Sequence, residues 1–569
     1  MIVREVVENG IAIRLDLSEQ ILALDAPEDA RYAEPELSPV PAATDSLLSA
    51  SVLAQKAKQF DDALYAAVEL VAQHGHGAVR GKREWLRRWA DAAIAAGEHG
   101  EAATLLLAAC ELGGAQRALP AGVSANVRSA IDRFLGDPNR SAPLGFYTQS
   151  DALAAIFRQD RMLMTELGEP EQADALARVL QSDSELLRSY QTQLALASRL
   201  TNPRRDDAFD LLASAQPKGR RILPPSRSPE GDLMERLYND RPIPDGFDLA
   251  EEVASRVAAG SLSLAPRADS GWYAHQLFAL EPLVAPERAP EAERLRYSHD
   301  YRLHLRGLFK AIFALTRETH VKQLEPVACA AAWSETRTQP IYVKPELTLE
   351  PLATHYARRA LGYRFVRGVL GAQFGPAWRE IAFGDDKASW KRVGDGLDAI
   401  EALFCGASAL VRHELGLPPA PALPDRDPDA DAAALQIWIA ELGSDPDLAR
   451  DSRMMVPAFY DLGRRKMKVW ALLGWSDRPL TVGFHQPPRV LDHEPKPVGR
   501  LAELRHRFFG PSAETQATAI EFVPAYHRVA LPITAELYVD RVLDRDAFRQ
   551  LCDQHKTRPN ILRALGALR

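Results

Sequence analysis

The sequence predicts an α+β protein, predominantly helical, with a helical body and a small, mainly antiparallel sheet in the C-terminal third. Three observations carry this. Apolar residues recur three and four apart through most of the first two thirds of the chain, the spacing of one helix face. The pattern changes to alternation around a turn in MMVPAFYDLGRRKMKVWALLGW, Met454–Trp475. The 569 residues are 46% hydrophobic and 26% charged, the balance of a folded globular chain and not of a disordered one.

The first region, residues 1–215, is expected to be helical. In SVLAQKAKQFDDALYAAVELVAQHG, Leu53, Ala57, Phe60, Leu64, Ala67 and Leu70 fall on one face. REWLRRWADAAIAAGEHGEAATLLLAACELGG reads as two helices broken at Gly97–Gly100, with Trp85 and Trp89 turned inward and Arg83 and Arg87 outward. GFYTQSDALAAIFRQDRMLMTEL starts a helix for which Ser150 is the N-cap and Asp151 sits in the positive first turn. One further helix is expected from about Glu171 to Leu200, stopping before Asn202-Pro203.

Residues 216–245 collect Pro, Gly, Ser and Arg without apolar periodicity and read as a surface linker. The central region, 246–416, holds a long helical segment, ERLRYSHDYRLHLRGLFKAIFALTRETHVKQLE, then the short extended run QPIYVKPELTLEP. Pro351 suits the first turn of a helix through Tyr356, Ala360, Tyr363, Val366 and Leu370, ending at Gly371. A Pro/Asp-rich linker, 417–431, is expected to be extended. The last region, 432–569, is α+β. Val456, Ala458 and Tyr460 alternate on one hairpin arm and Met467, Val469 and Ala471 on the other, around Asp461–Gly463. TVGF, AIEFV and ITAELYV are further strand candidates, and Asp544 caps a closing helix at Asp546–His555.

Charge and cysteines narrow the function classes. With 69 Lys+Arg against 77 Asp+Glu the net charge is −8, which argues against nucleic acid as the main partner. Cys110, Cys329, Cys405 and Cys552 stand singly, without metal or redox spacing, and read as reduced thiols. The N-terminus has acidic residues and no apolar signal core, and no apolar run approaches about 18 residues, so a cytoplasmic chain with no membrane span is expected. There is no GxxxxGK[ST] loop, GxGxxG fingerprint, GxSxG elbow or HExxH pair.

Several groups carry possible chemistry. Tyr147, Thr148 and Ser150 in GFYTQSDAL are the candidate ligand-binding residues. His299, His304, Glu318 and His320 are the candidate metal ligands, since imidazole and carboxylate together suit a divalent transition metal; His355 is a possible fifth member. Their spacing fits poorly, because His299 and His304 are five apart, whereas Asp300 and His304 share a face. A second group, His485, Asp492, His493, Glu521 and His527, lies in the strand-rich region. Glu346, Thr348 and Glu350 would face one side of a strand, beside the arginines Arg358, Arg359, Arg364 and Arg367, where an ion-pair network is the expected outcome.

TDSLL (Thr44–Leu48), SAPLGFYTQSDALAAIFRQDRML (Ser141–Leu163), RETHVKQ (Arg317–Gln323), YVKP (Tyr342–Pro345), the Met455–Trp475 hairpin and YVDRVLDRDAFRQL occur in this order. In this order they resemble an uncharacterised bacterial domain-of-unknown-function family, across most of the chain. That resemblance implies no activity and transfers no functional residue. The expectation is therefore a globular protein that binds a protein partner or small-molecule ligand, the alternative being a metal-dependent hydrolase centred on the His/Glu group.

Overall fold

The computed structural model describes residues 3–8, 11–16, 35–42, 47–115, 119, 121–168, 170–206, 208–209, 220–238, 241–244, 246–324, 347–384, 390–419, 423–484 and 525–567. The chain opens with an antiparallel pair, β1 (Val3–Glu8) and β2 (Ile11–Asp16). Next comes α1 (Ala50–His74), which carries the predicted apolar face but is buried almost all round, so that Lys58, Asp61, Asp62 and Glu69 lie inside the protein.

Helices α2 (Lys82–Ala95) and α3 (Glu101–Leu112) form the expected pair, with Trp85 and Trp89 inward. In α4 (Asp151–Leu163), Ser150 Oγ accepts the Leu153 N–H at 3.2 Å, as its sequence predicts. The single helix expected at 171–200 is two, α5 (Pro170–Gln181) and α6 (Ser184–Leu200). Asp183 divides them, because its carboxylate accepts the N–H groups of Glu185 and Leu186 and so starts a new helix. Trp85, Trp89 and Tyr190 from these helices build a core of their own with Phe209 and Ile222.

The breaker-rich stretch after residue 215 contains a helix, Pro229–Tyr238, with Leu233 and Met234 buried. Ser228 Oγ accepts the Gly231 N–H and Pro229 supplies the first-turn φ, so the same residues that read as breakers start a helix. The long central segment is a two-residue strand, β3 (Leu295–Arg296), followed by α7 (His299–Thr319), capped by Ser298. α8 (Ala353–Phe374) begins beyond Pro351 and runs through Gly371 to end at Gly375, whose φ of 59° stops the helix ahead of Pro376. α9 (Val393–Glu414) packs on it. α10 (Pro428–Ala440) starts inside the Pro/Asp-rich linker, because Asp427 caps it and Pro428 fits its first turn.

The predicted hairpin is β4 (Met454–Asp461) against β5 (Lys466–Phe484). Its turn is one step later than expected, because the Asp461 carboxylate accepts the Arg464 N–H and guanidinium and Arg465 takes the left-handed conformation. TVGF is the far end of β5, and ITAELYV belongs to β6 (Ala525–Val539), antiparallel to β5 along most of its length. AIEFV lies outside the described residues. β3 pairs with the end of β5, completing a four-stranded antiparallel sheet.

This sheet is covered on both faces. Val456, Trp470 and Leu472 join the main core, which also takes α1, α7, α8 and α9. Met455, Val469 and Ala471 pack instead against α11 (Arg545–His555) and α12 (Arg558–Ala567), through Phe548, Cys552 and Ile561. Burial on both faces explains why the hairpin reads as almost continuously apolar. Among the described residues no helix is long and apolar enough to cross a membrane.

Candidate functional site

The segment Gly145–Thr148 forms a single 3₁₀ turn ahead of α4. Gly145 has φ of 61°, and a Cβ there would stand 3.3 Å from the carboxyl carbon and backbone oxygen of Glu318, so only glycine lets the turn lie this close to α7. Tyr147 is fully buried beneath the turn and donates its hydroxyl to Glu69 at 3.1 Å. Thr148 donates to the Gly145 carbonyl at 2.9 Å. Thr148 and Ser150 are thereby left on the rim of a cleft of about 530 Å³. Of the three ligand-binding candidates, two line this cleft and Tyr147 supports it from below.

Five distant stretches of chain meet there, Gly384 among them. Gln59, Ala63, Ala66 and Leu70, at positions i, i+4, i+7 and i+11, give the cleft one face of α1. The Thr148–Leu153 stretch brings the start of α4, Arg450 and Asp451 come from the loop before β4, and Arg545, Asp546 and Arg549 come from the first turns of α11. Gln59 is only 8% exposed, and its amide has no hydrogen-bond partner among the described residues.

Arg545, which lines the cleft, belongs to a buried ionic group behind it. Arg545 holds Glu318 through two contacts, at 2.9 and 2.5 Å, and Asp62 at 2.9 Å. Lys58 binds the same two carboxylates at 2.6 Å each, and Thr319 donates to Asp62 at 2.8 Å. Two cations thus face two anions, which balances the charge of a group otherwise costly to bury. Burial by itself would raise the Glu318 carboxyl, but Arg545 and Lys58 outweigh it and hold it down at about 2 against an ordinary 4.5. A second buried group lies alongside: Lys322 bridges Glu69 and Asp160 at 2.6 and 2.5 Å, and Lys82 holds Asp160 at 2.6 Å.

The proposed metal ligands are not drawn together. His299 opens α7 and His320 caps its far end, about 30 Å away at 1.5 Å per residue. His304 Nε2 lies 2.7 Å from Glu350 Oε1, and the other Glu350 oxygen accepts the Ala50 N–H at 2.8 Å. Glu318 is taken by Lys58 and Arg545. His320 contacts Gln276 at 2.8 Å and Thr201 at 3.1 Å, among the rings of Tyr65, Trp272 and Tyr273. Burial and then Lys58 push its imidazole well below the ordinary 6.5. His355 Nδ1 donates to the Ala279 carbonyl at 2.7 Å, and burial lowers it to about 4. Among the described residues no three His, Cys, Asp or Glu side chains gather in a metal-binding arrangement.

Of the second histidine group only His527 is described; it is buried on β6, and His485, Asp492, His493 and Glu521 lie outside the described residues. Glu346 does too. The α8 arginines do form ion pairs, but with other carboxylates: Arg358 with Glu281, Arg359 with Asp61, and Arg364 and Arg367 with Glu401.

Sequence reasoning missed Gln59, Arg545 and Arg549. One signal was present. Lys56, Lys58, Asp61, Asp62 and Glu69 are scattered around α1 without forming a separate polar face, which marks a helix buried on all sides with paired charges. Comparison with protein-family models, curated proteins and solved structures finds no match to this chain.

Proposed function

We propose that this chain is a cytoplasmic binding protein whose recognition site is the cleft between α1, the start of α4 and the start of α11. The observation that carries the reading is the cleft lining: Gln59, whose amide has no hydrogen-bond partner among the described residues, shares a space of about 530 Å³ with Thr148, Ser150 and Arg549. Ligand pockets of roughly 300–1,000 Å³ with a few convergent polar groups are common binding sites. The mixed wall, apolar along α1 and polar opposite, is the composition of a site that binds and orients a small molecule.

The test compares the full chain with Ala63→Trp, which fills the cleft from the α1 side. Both are incubated with the small-molecule fraction of a cell extract, and retained species are read by native mass spectrometry. A species held by the wild type and lost from the filled variant supports the reading. Identical retention by both proteins overturns it.

A further inference from the structure

The chemistry of the cleft restricts its ligand further, and this step rests on the binding reading above. Arg549 is a cation with donor capacity to spare. Its guanidinium gives one bond of 2.5 Å to the Asp451 carbonyl, but both nearby carboxylates, Asp451 and Asp546, stand at 3.7 Å, beyond hydrogen-bond range. Asp451 is already engaged by Arg453 through contacts of 2.6–3.1 Å, and the Asp546 side chain is 88% exposed, where water screens it. Burial holds the Arg549 guanidinium below its ordinary range against the attraction of Asp451, with Arg545 adding repulsion. The amino ends of α4 and α11 open on the same space, each with a carboxylate in its first turn, Asp151 and Asp546. Beyond Gln59, the α1 lining is apolar: Ala63, Ala66 and Leu70.

We infer that the cleft binds a small amphiphilic anion, with a carboxylate or phosphate headgroup on Arg549 and Gln59 and an apolar body along Ala63, Ala66 and Leu70. The guanidinium fork matches a planar or tetrahedral oxyanion, and the Gln59 amide supplies a neutral donor beside it.

Titration calorimetry of the full chain with octanoate, octyl phosphate and octanamide tests this. The two anions share their tail with the neutral amide, so the headgroup alone is varied. At least one anion is expected to bind at least about tenfold more tightly than octanamide. That preference should weaken with added salt. Arg549→Gln should remove the preference for the anions over octanamide, and Ala63→Trp should weaken all three. The tighter of the two anions identifies the headgroup.

Equal binding of all three, independent of salt and of Arg549, overturns the anion inference and leaves the cleft reading standing. Binding of none, or binding unaffected by Ala63→Trp, counts against the cleft itself. The salt series needs only the wild-type protein, so the inference is decided even if Arg549→Gln fails to fold.

Discussion

Replacing Arg545 by Met probes the buried ionic group behind the cleft most directly. In the native protein Lys58, Asp62, Glu318 and Arg545 sum to zero charge, with side-chain exposures of 2%, 3%, 2% and 13%. Met fills much of the same volume but leaves two carboxylates against one ammonium in a dry site. Removing one partner of a buried ion pair typically costs about 3–5 kcal/mol.

The Glu318 titration gives an independent figure. A carboxyl moved from 4.5 to about 2 contributes about 3 kcal/mol at neutral pH, with Arg545 the larger lowering partner. Because the folded-state value is the lower one, this stability is complete above 4.5 and is lost as pH falls toward 2. The gap between wild type and Arg545→Met should therefore be widest at neutral pH and shrink through that window. Adding Glu318→Gln restores neutrality, so the double variant should lose less than the sum of the singles, by roughly 1–3 kcal/mol. Urea unfolding followed by tryptophan fluorescence, at neutral pH and within the acid window, measures each quantity. A loss under about 1 kcal/mol for Arg545→Met, or strict additivity in the double variant, would refute the coupled four-charge arrangement.

Acid should destabilise the protein through its buried histidines. His355 stays neutral in the fold down to about 4 while the unfolded chain takes up a proton near 6.5, so stability falls across that interval by up to about 3 kcal/mol, with His320 acting in the same direction. His355→Asn should flatten the dependence of melting temperature on pH there, and an unchanged slope would contradict this assignment. Gly145→Ala should cost about 1–2 kcal/mol, from the left-handed backbone and the close Glu318 contact, as read by denaturant midpoint. His304→Ala strands the buried Glu350 oxygen and should cost about 2 kcal/mol, with partial recovery on adding Glu350→Gln; no recovery would mean that the imidazole acts through packing alone.

Local rules were enough wherever an element depends on its own neighbours. The Ser150 and Asp544 caps, the break between α2 and α3, the inward tryptophans and the hairpin all follow from spacing and side-chain chemistry within a few residues. Errors arose where a short polar residue had two uses. Asp183 divided an expected helix, and Ser228 and Asp427 started helices inside stretches that composition marked as linkers, because a side chain that ends one helix can also cap the next.

What the chain determined by itself was its class: helices in the body, an antiparallel sheet near the end, and the rim residues Thr148 and Ser150 as candidates for binding. Only the tertiary structure decided that α11, nearly five hundred residues after α1, sets Arg545 against Asp62 and Glu318, and that Gln59 lines the same cleft as Arg549. Helical and strand periodicity report which side of an element is apolar; they carry no information on which distant charge will neutralise a buried one. That pairing depends on three-dimensional proximity, and it is where the cleft acquires its chemistry.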